Sequence, residues 1–188
     1  RSLDDVGRLD RLIADISDAS RIDAELSREE THPTDIGRLL ATLVDIHSAA
    51  DSPEAPRLTL ELATPAGLIV PALEDRLGQV FRNLITNAIS FSPPRGLIRI
   101  VAARRDGTVE VSVEDEGPGM PEDKIEKIFE RFYSERPSGE KFGTHSGLGL
   151  SISRQIVTAH GGSVRAENRR DAAGRVVGAR FIVRLPIA

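Results

Sequence analysis

Two asparagines, one aspartate and two pairs of glycines are the residues of this chain whose type and spacing could do chemistry. Asn83 and Asn87 stand four apart in the run Gln79–Ser92, QVFRNLITNAISFS. On a helix their amides point the same way and offer carbonyl oxygens and N–H donors to one ligand. Gln79 and Ser90 fall on the same side, and a neutral stripe is unusual where a surface helix prefers Lys, Glu and Arg. Asp115 follows an alternating run and opens Asp115-Glu116-Gly117-Pro118-Gly119-Met120. Two glycines one residue apart leave no side-chain wall, so backbone can approach a flat ligand closely. A carboxylate buried there needs a hydrogen-bond donor. An exocyclic amine such as that of adenine supplies one, whereas a keto oxygen in the same place is repelled. Finally, Thr144-His145-Ser146-Gly147-Leu148-Gly149-Leu150 opens a helix. Free N–H groups at a helix start, with glycines beside them, form an anion site. Taken singly, these stretches also describe a solvated helix face, an acidic turn and an ordinary helix start.

The elements that must position these groups can be read from periodicity. Leu77, Val80, Phe81, Leu84, Ile85, Ala88, Ile89 and Phe91 form one apolar arc opposite the amides, which makes a core helix from about Ala72 to Ser92. Upstream, Leu3, Val6, Leu9, Leu12, Ile13, Ile16, Ala19, Ile22 and Leu26 repeat at threes and fours, a bundle or coiled-coil seam that needs a partner helix. His32-Pro33-Thr34 interrupts it, with Thr34 expected to cap a second amphipathic helix running to about Ala49. Leu58–Leu62 and Gly67–Pro71 read as strands, and Leu97–Arg104 and Val109–Glu114 as a hairpin across Asp106-Gly107. Glu122–Phe132 is expected to be a short helix, Ser134–Ser146 a mobile loop and Leu148–Ala159 a helix stopped at Gly161-Gly162. Strands over Ser163–Asn168 and Ala179–Leu185 complete an α+β, two-layer α/β sandwich preceded by a long N-terminal helix. The expected division is 1–31 for that helix and 34–188 for the sandwich.

Composition narrows the function classes. The net charge of −4 and the lack of a basic run argue against a nucleic-acid partner, and the absence of cysteine excludes disulfides and thiolate metal sites. No apolar run is long enough to cross a bilayer. Residue 1 is Arg and helical pattern begins at once, so the chain reads as a piece of a longer protein, with any membrane contact made only by missing upstream segments.

The joint order of these motifs is more telling than any one of them. Asn83/Asn87 on a helix, Asp115/Gly117/Gly119 after a strand, Phe129/Phe132/Tyr133, a loop, and Gly147/Gly149 before a helix closely resemble the N, G1, F and G2 boxes of the GHKL ATPase/kinase superfamily. Within it, residues 57–186 look most like the ATP-binding catalytic domain of bacterial sensor histidine kinases. The resemblance implies a Bergerat fold, ATP with Mg²⁺, and a lid over about Ser134–Ser146. It assigns Asn87 to Mg²⁺, Asn83 to the phosphates or a metal-bound water, and Asp115 to the adenine amine. Gly117 and Gly119 would give backbone access, and Gly147, Leu148 and Gly149 would bring helix N–H groups to the phosphates. Phe129 and Phe132 would anchor the lid, and Tyr133 would line the nucleotide site.

Three positions depart from the family pattern. Ser90 stands where many members carry Lys, which weakens or removes a phosphate contact. Ser134 stands where an Arg often follows the F box, leaving Arg131, Arg136 or Lys141 to substitute. Ala179 stands where a hydroxyl often supports the Asp. Members that hydrolyse ATP place a Glu four residues before the metal Asn. Here that position is Asn83, and an amide cannot take a proton from water, so transfer is favoured over hydrolysis.

The N-terminal helix resembles the second helix of the dimerisation and phosphotransfer domain of these kinases, and its register looks most like the envelope-sensing kinases of alphaproteobacteria. The resemblance implies a homodimer through this helix in the full-length protein, a response regulator as partner, and placement as the cytoplasmic domain of a bacterial inner-membrane sensor. The phosphoacceptor box His-Glu-x-x-x-Pro is absent, since none of His32, His47, His145 or His160 has the required neighbours. Autophosphorylation by this fragment alone is therefore not expected. The competing readings are a GHKL-type ATPase and a non-catalytic module that docks a response regulator.

Overall fold

A computed structural model describes residues 3–49, 52–130 and 149–187. Helix α1 (Leu3–Arg28) is followed by strand β1 (His32–Asp35), helix α2 (Ile36–Ser48), and strands β2 (Arg57–Leu62) and β3 (Ile69–Ala72). Helix α3 (Glu74–Phe91) carries the amide stripe. The hairpin of β4 (Leu97–Arg105) and β5 (Thr108–Glu114), helix α4 (Gly149–Ala159), and strands β6 (Ser163–Arg170) and β7 (Val176–Pro186) complete the described chain.

Five strands form one sheet in the order β2-β4-β5-β7-β6, with β2 parallel to β4 and every other pair antiparallel. A separate pair joins β1 to β3. Alternation sends Ile98, Ile100 and Ala102, Val109, Val111 and Val113, and Phe181, Val183 and Leu185 to one face of the sheet, all buried. Against them pack Val80, Phe81, Leu84 and Ile85 of α3 and Ile152 and Ile156 of α4, giving the expected two-layer sandwich. The β4–β5 turn sits at Asp106 and Gly107, both with positive φ (48° and 76°), as a tight hairpin requires.

The C-terminal part of the N-terminal helix is tied to this body. Ile22 is fully buried in the common core, Leu26 packs against it, and Arg76 of α3 makes a two-pronged ion pair with Glu25 (2.7 and 2.6 Å). Leu3, Val6, Leu9, Ile13 and Ile16 remain exposed.

Two local expectations are corrected. Thr34 does not cap α2: it is buried in β1 opposite Val70, and its hydroxyl turns back to the His32 carbonyl. Asp35 takes the cap instead, its Oδ1 accepting the Arg38 N–H at 3.1 Å. The segment expected as a helix from Glu122 is two 3₁₀ turns, Glu122–Lys124 and Lys127–Phe129. Its apolar residues are too few for an amphipathic α-helix, and Glu122 is drawn to β6 by Asn168 and Arg170.

Candidate functional site

Asp115 is the best-defined group. It extends the inward alternation of β5 by one step past Val113, and only 2% of its surface is exposed. Its Oδ1 accepts the N–H groups of Gly117 (2.9 Å) and Ala179 (3.1 Å), while its own N–H donates to the Ala179 carbonyl (3.0 Å). The support that a hydroxyl was expected to give comes from backbone at Ala179. Burial pushes the Asp115 carboxyl above the ordinary range, and the two N–H bonds and nearby Arg169 draw it partly back. Both accepted bonds fall on Oδ1. Among the described residues Oδ2 has no donor, so a buried acceptor is left over for a ligand.

The glycines after Asp115 are required by close approach. A Cβ on Gly117 would lie 2.7 Å from the Phe91 carbonyl, so this loop is pressed onto the end of α3, one turn beyond Asn87. Gly119 has φ +76°, and a Cβ there would lie 2.4 Å from Val176 Cγ1. Behind the loop, a Cβ on Gly178 would meet the Asp115 carbonyl at 1.9 Å. Gly178 is not among the candidates that motif spacing marks, although a glycine inside β7 is the usual mark of such an approach.

The amide stripe reaches the second glycine motif directly. Asn83 Nδ2 donates to the Gly149 carbonyl (3.2 Å) and to Ser153 Oγ (3.3 Å), and Ser153 Oγ donates to the same carbonyl (2.8 Å). A carbonyl only accepts, so the amide nitrogen must face it and Oδ1 is turned away. A Cβ on Gly149 would sit 3.8 Å from Asn83, an ordinary contact, so packing does not demand glycine there. The Asn87 side chain is half-buried with no hydrogen-bond partner among the described residues. Ser90 folds its hydroxyl back to the Asn87 carbonyl (2.9 Å). Phe129 is buried edge-on to Phe181, with centroids 6.2 Å apart, under the Arg154 guanidinium. Arg131, Phe132, Tyr133, the loop Ser134–Ser146 with Arg136, Lys141 and His145, and Gly147 and Leu148 lie outside the described residues.

Strand β6 also grips the Asp115 loop, which the sequence reading missed. Asn168 faces inward after Val164 and Ala166; its Oδ1 accepts the Met120 N–H and its Nδ2 donates to the Met120 carbonyl, both at 2.7 Å. Arg169 faces outward and donates to the Asp115 carbonyl (2.6 Å). On that outer side Glu114 is buried beside Arg180 (2.8 Å), Arg99 and Arg169 (both 3.6 Å), the pairing that a buried carboxylate requires. An amide at an inward strand position, where an apolar residue is expected, was the available signal for Asn168.

A mixed sheet covered on one face by two helices, with a buried acid at a strand end and an amide facing a helix start, makes a two-layer α/β domain with a polar site on its helical side. Residues 72–188 match the family described as histidine kinase-, DNA gyrase B- and HSP90-like ATPase. The chain is 50% identical over 189 residues to the sensor protein ChvG of Rhizobium meliloti (strain 1021), covering 97% of this chain and 33% of that one. It is similar to full-length ShkA in complex with AMPPNP (TM-score 0.79, 28% identity, 97% of this chain and 36% of that chain). It is also similar to histidine kinase ThkA in complex with the response regulator protein TrrA (TM-score 0.73, 28% identity, 98% and 48%). The chain belongs to the histidine kinase-, DNA gyrase B- and HSP90-like ATPase family. It spans about a third of the length of the curated relatives it matches. No helix among the described residues is long and apolar enough to cross a membrane.

Proposed function

We propose that the amide stripe, the Asp115 loop and the start of α4 enclose one ATP–Mg²⁺, held for transfer of its γ-phosphoryl group to a histidine on a helix outside this chain. The observation that carries this reading is the buried Asp115 carboxylate with its oxygen Oδ2 left without a donor. An ionised acceptor there takes the adenine amine and repels a keto oxygen. Gly117 and Gly119 let the loop backbone lie against the base. By resemblance to the family, Gly147, Leu148 and Gly149 would bring N–H groups to the phosphates, with Arg131, Lys141, Tyr133 and the hydroxyl of Ser90 as further polar contacts. Phe129 and Phe132 anchor the lid.

For the metal, no cluster of three or more His, Cys, Asp or Glu exists among the described residues. The donor set present is neutral amide oxygen, which suits a Mg²⁺ that arrives on phosphates and keeps several waters. Asn87 would supply one oxygen to the ion, and Asn83, whose Oδ1 is turned away from Gly149, would face the phosphates or a water on the ion. Bound there, the ion would neutralise phosphate charge. The protein's own part is positioning and exclusion of water. Asn83 cannot act as a base toward water, and its nitrogen is already committed to Gly149. That favours transfer over hydrolysis.

In the whole protein, residues 1–31 form a dimerisation helix beside a second copy, and the domain 34–188 serves as the cytoplasmic kinase unit of a bacterial inner-membrane sensor, with a response regulator as the onward acceptor. Calorimetric titration with ATP and GTP, with and without Mg²⁺, tests the site. Asp115→Asn is expected to weaken ATP by about 10- to 100-fold, the worth of one hydrogen bond to a charged group. GTP is expected to be ignored by the wild type, while Asp115→Asn, whose amide can donate to a keto oxygen, is expected to discriminate less between the two nucleotides. Equal binding of GTP and ATP by the wild type would remove the role given to Asp115.

A further inference from the structure

We propose that Asn168 is a positioning residue for the base end of the nucleotide site. The proposal rests on the reading of Asp115–Met120 as the adenine pocket. That loop leaves β5 with both ends held by adjacent residues of β6, a strand some fifty positions later in the chain. At the near end the outward Arg169 holds the Asp115 carbonyl. At the far end the inward Asn168 pairs with both the N–H and the carbonyl of Met120.

The second grip is the more demanding one. Met120 lies outside any strand, so its half-buried N–H and carbonyl have no ladder partner, and one primary amide serves both as a neighbouring strand would. The other hydrogen of Nδ2 goes to Glu122 Oε1 at 3.0 Å, and Glu122 is held in turn by Arg170. The Asn168 amide thus uses its oxygen and both of its hydrogens, a set that Asp, Ser or Leu cannot supply. Gln has the group but adds a methylene, about 1.5 Å of reach. There is no slack to absorb it, because a Cβ on neighbouring Gly119 would already lie 2.7 Å from Asn168 Oδ1. These contacts fix the depth of the loop beneath the base. None of them involves Asn83, Asn87 or Gly149, which serve the phosphate end.

Loosening Asn168 therefore weakens recognition of the base and leaves the triphosphate tail untouched. The test is titration of this 188-residue chain with adenosine, ADP and ATP plus Mg²⁺. Wild type is compared with Asn168→Ala, Asn168→Asp, Asn168→Ser, Asp115→Asn and the surface control Arg165→Ala, each at a temperature where its circular dichroism shows it fully folded. Asn168→Ala is expected to lose about tenfold in affinity for ADP and for ATP alike, the scale of one or two neutral hydrogen bonds. The ATP:ADP ratio should stay at its wild-type value, Asn168→Ser should fall between, and Arg165→Ala should bind as wild type. Asn168→Asp supplies a readout that mere loss of rigidity would not move. Its second oxygen opposes the Met120 carbonyl until it is protonated, so its affinity relative to Asn168→Ala should rise as pH falls toward the carboxylate range.

Wild-type binding by the folded Asn168→Ala and Asn168→Ser proteins, or a change in the ATP:ADP ratio, would overturn the positioning role alone. Absence of adenine-nucleotide binding by wild type, or undiminished binding by Asp115→Asn, would overturn the pocket reading and this proposal with it.

Discussion

At the residue scale, the chemistry turns on the protonation of Asp115. Its carboxyl is raised by burial, so across the window between the ordinary carboxylate range and its raised value the folded protein holds a proton that the unfolded chain has released. Stability of the free protein therefore declines as pH rises through that window. If Asp115 takes the adenine amine as proposed, binding runs the opposite way, because that role needs an ionised acceptor. ATP affinity is expected to climb over the same window and then level off, while Asp115→Asn shows no such rise. Denaturant titrations and calorimetry on one pH series check both signs. This residue was legible in the sequence because a lone acid at a strand end followed by spaced glycines is an economical signature. Its support at Ala179 was not, since that role is played by a backbone N–H, which every residue but proline carries.

At the element scale, the site depends on how closely strands and helices approach. Gly178 lets β7 pass the carbonyl of Asp115, and Gly178→Ala must push the two strands apart. The expected cost is about 2–3 kcal/mol, read as a lowered midpoint in thermal or urea denaturation. Between α3 and α4 the contact is chemical as well as steric. Asn83→Asp replaces a donor with a carboxylate facing the Gly149 carbonyl, and is expected to destabilise the domain by about 1–3 kcal/mol while Asn83→Ala costs less, since Ser153 still serves that carbonyl. The apolar arc of α3, the hairpin at Asp106-Gly107 and the glycine stop of α4 were all legible, because periodicity and turn chemistry are local. The parallel pairing of β2 with β4 and the grip of β6 on Met120 were not, being set by contacts between residues some forty to fifty positions apart. The 3₁₀ turns after Pro121 belong with these in part, since Glu122 is held by Asn168 and Arg170 of β6.

At the scale of the whole molecule, α1 has two different ends. Its last two turns are locked to the core by Ile22 and the Glu25–Arg76 pair, whereas Leu3, Val6, Leu9 and Ile13 are exposed along one apolar seam. If that seam joins two copies, sedimentation equilibrium should show a concentration-dependent dimer that Leu9→Glu with Ile13→Glu abolishes. Because both side chains are exposed, the double change should alter the folding stability of the monomer by no more than about 0.5 kcal/mol per site. The open side of the sheet behaves differently. Glu61, Arg99, Glu114, Arg180 and Glu167 run across its five strands with the signs alternating, each charge answered by the next. To an approaching polyanion that row is an electrical ground plane, with little net pull along it. If the chain takes ATP as proposed, its capture is left to the opposite, helical side, and its rate should depend only weakly on salt.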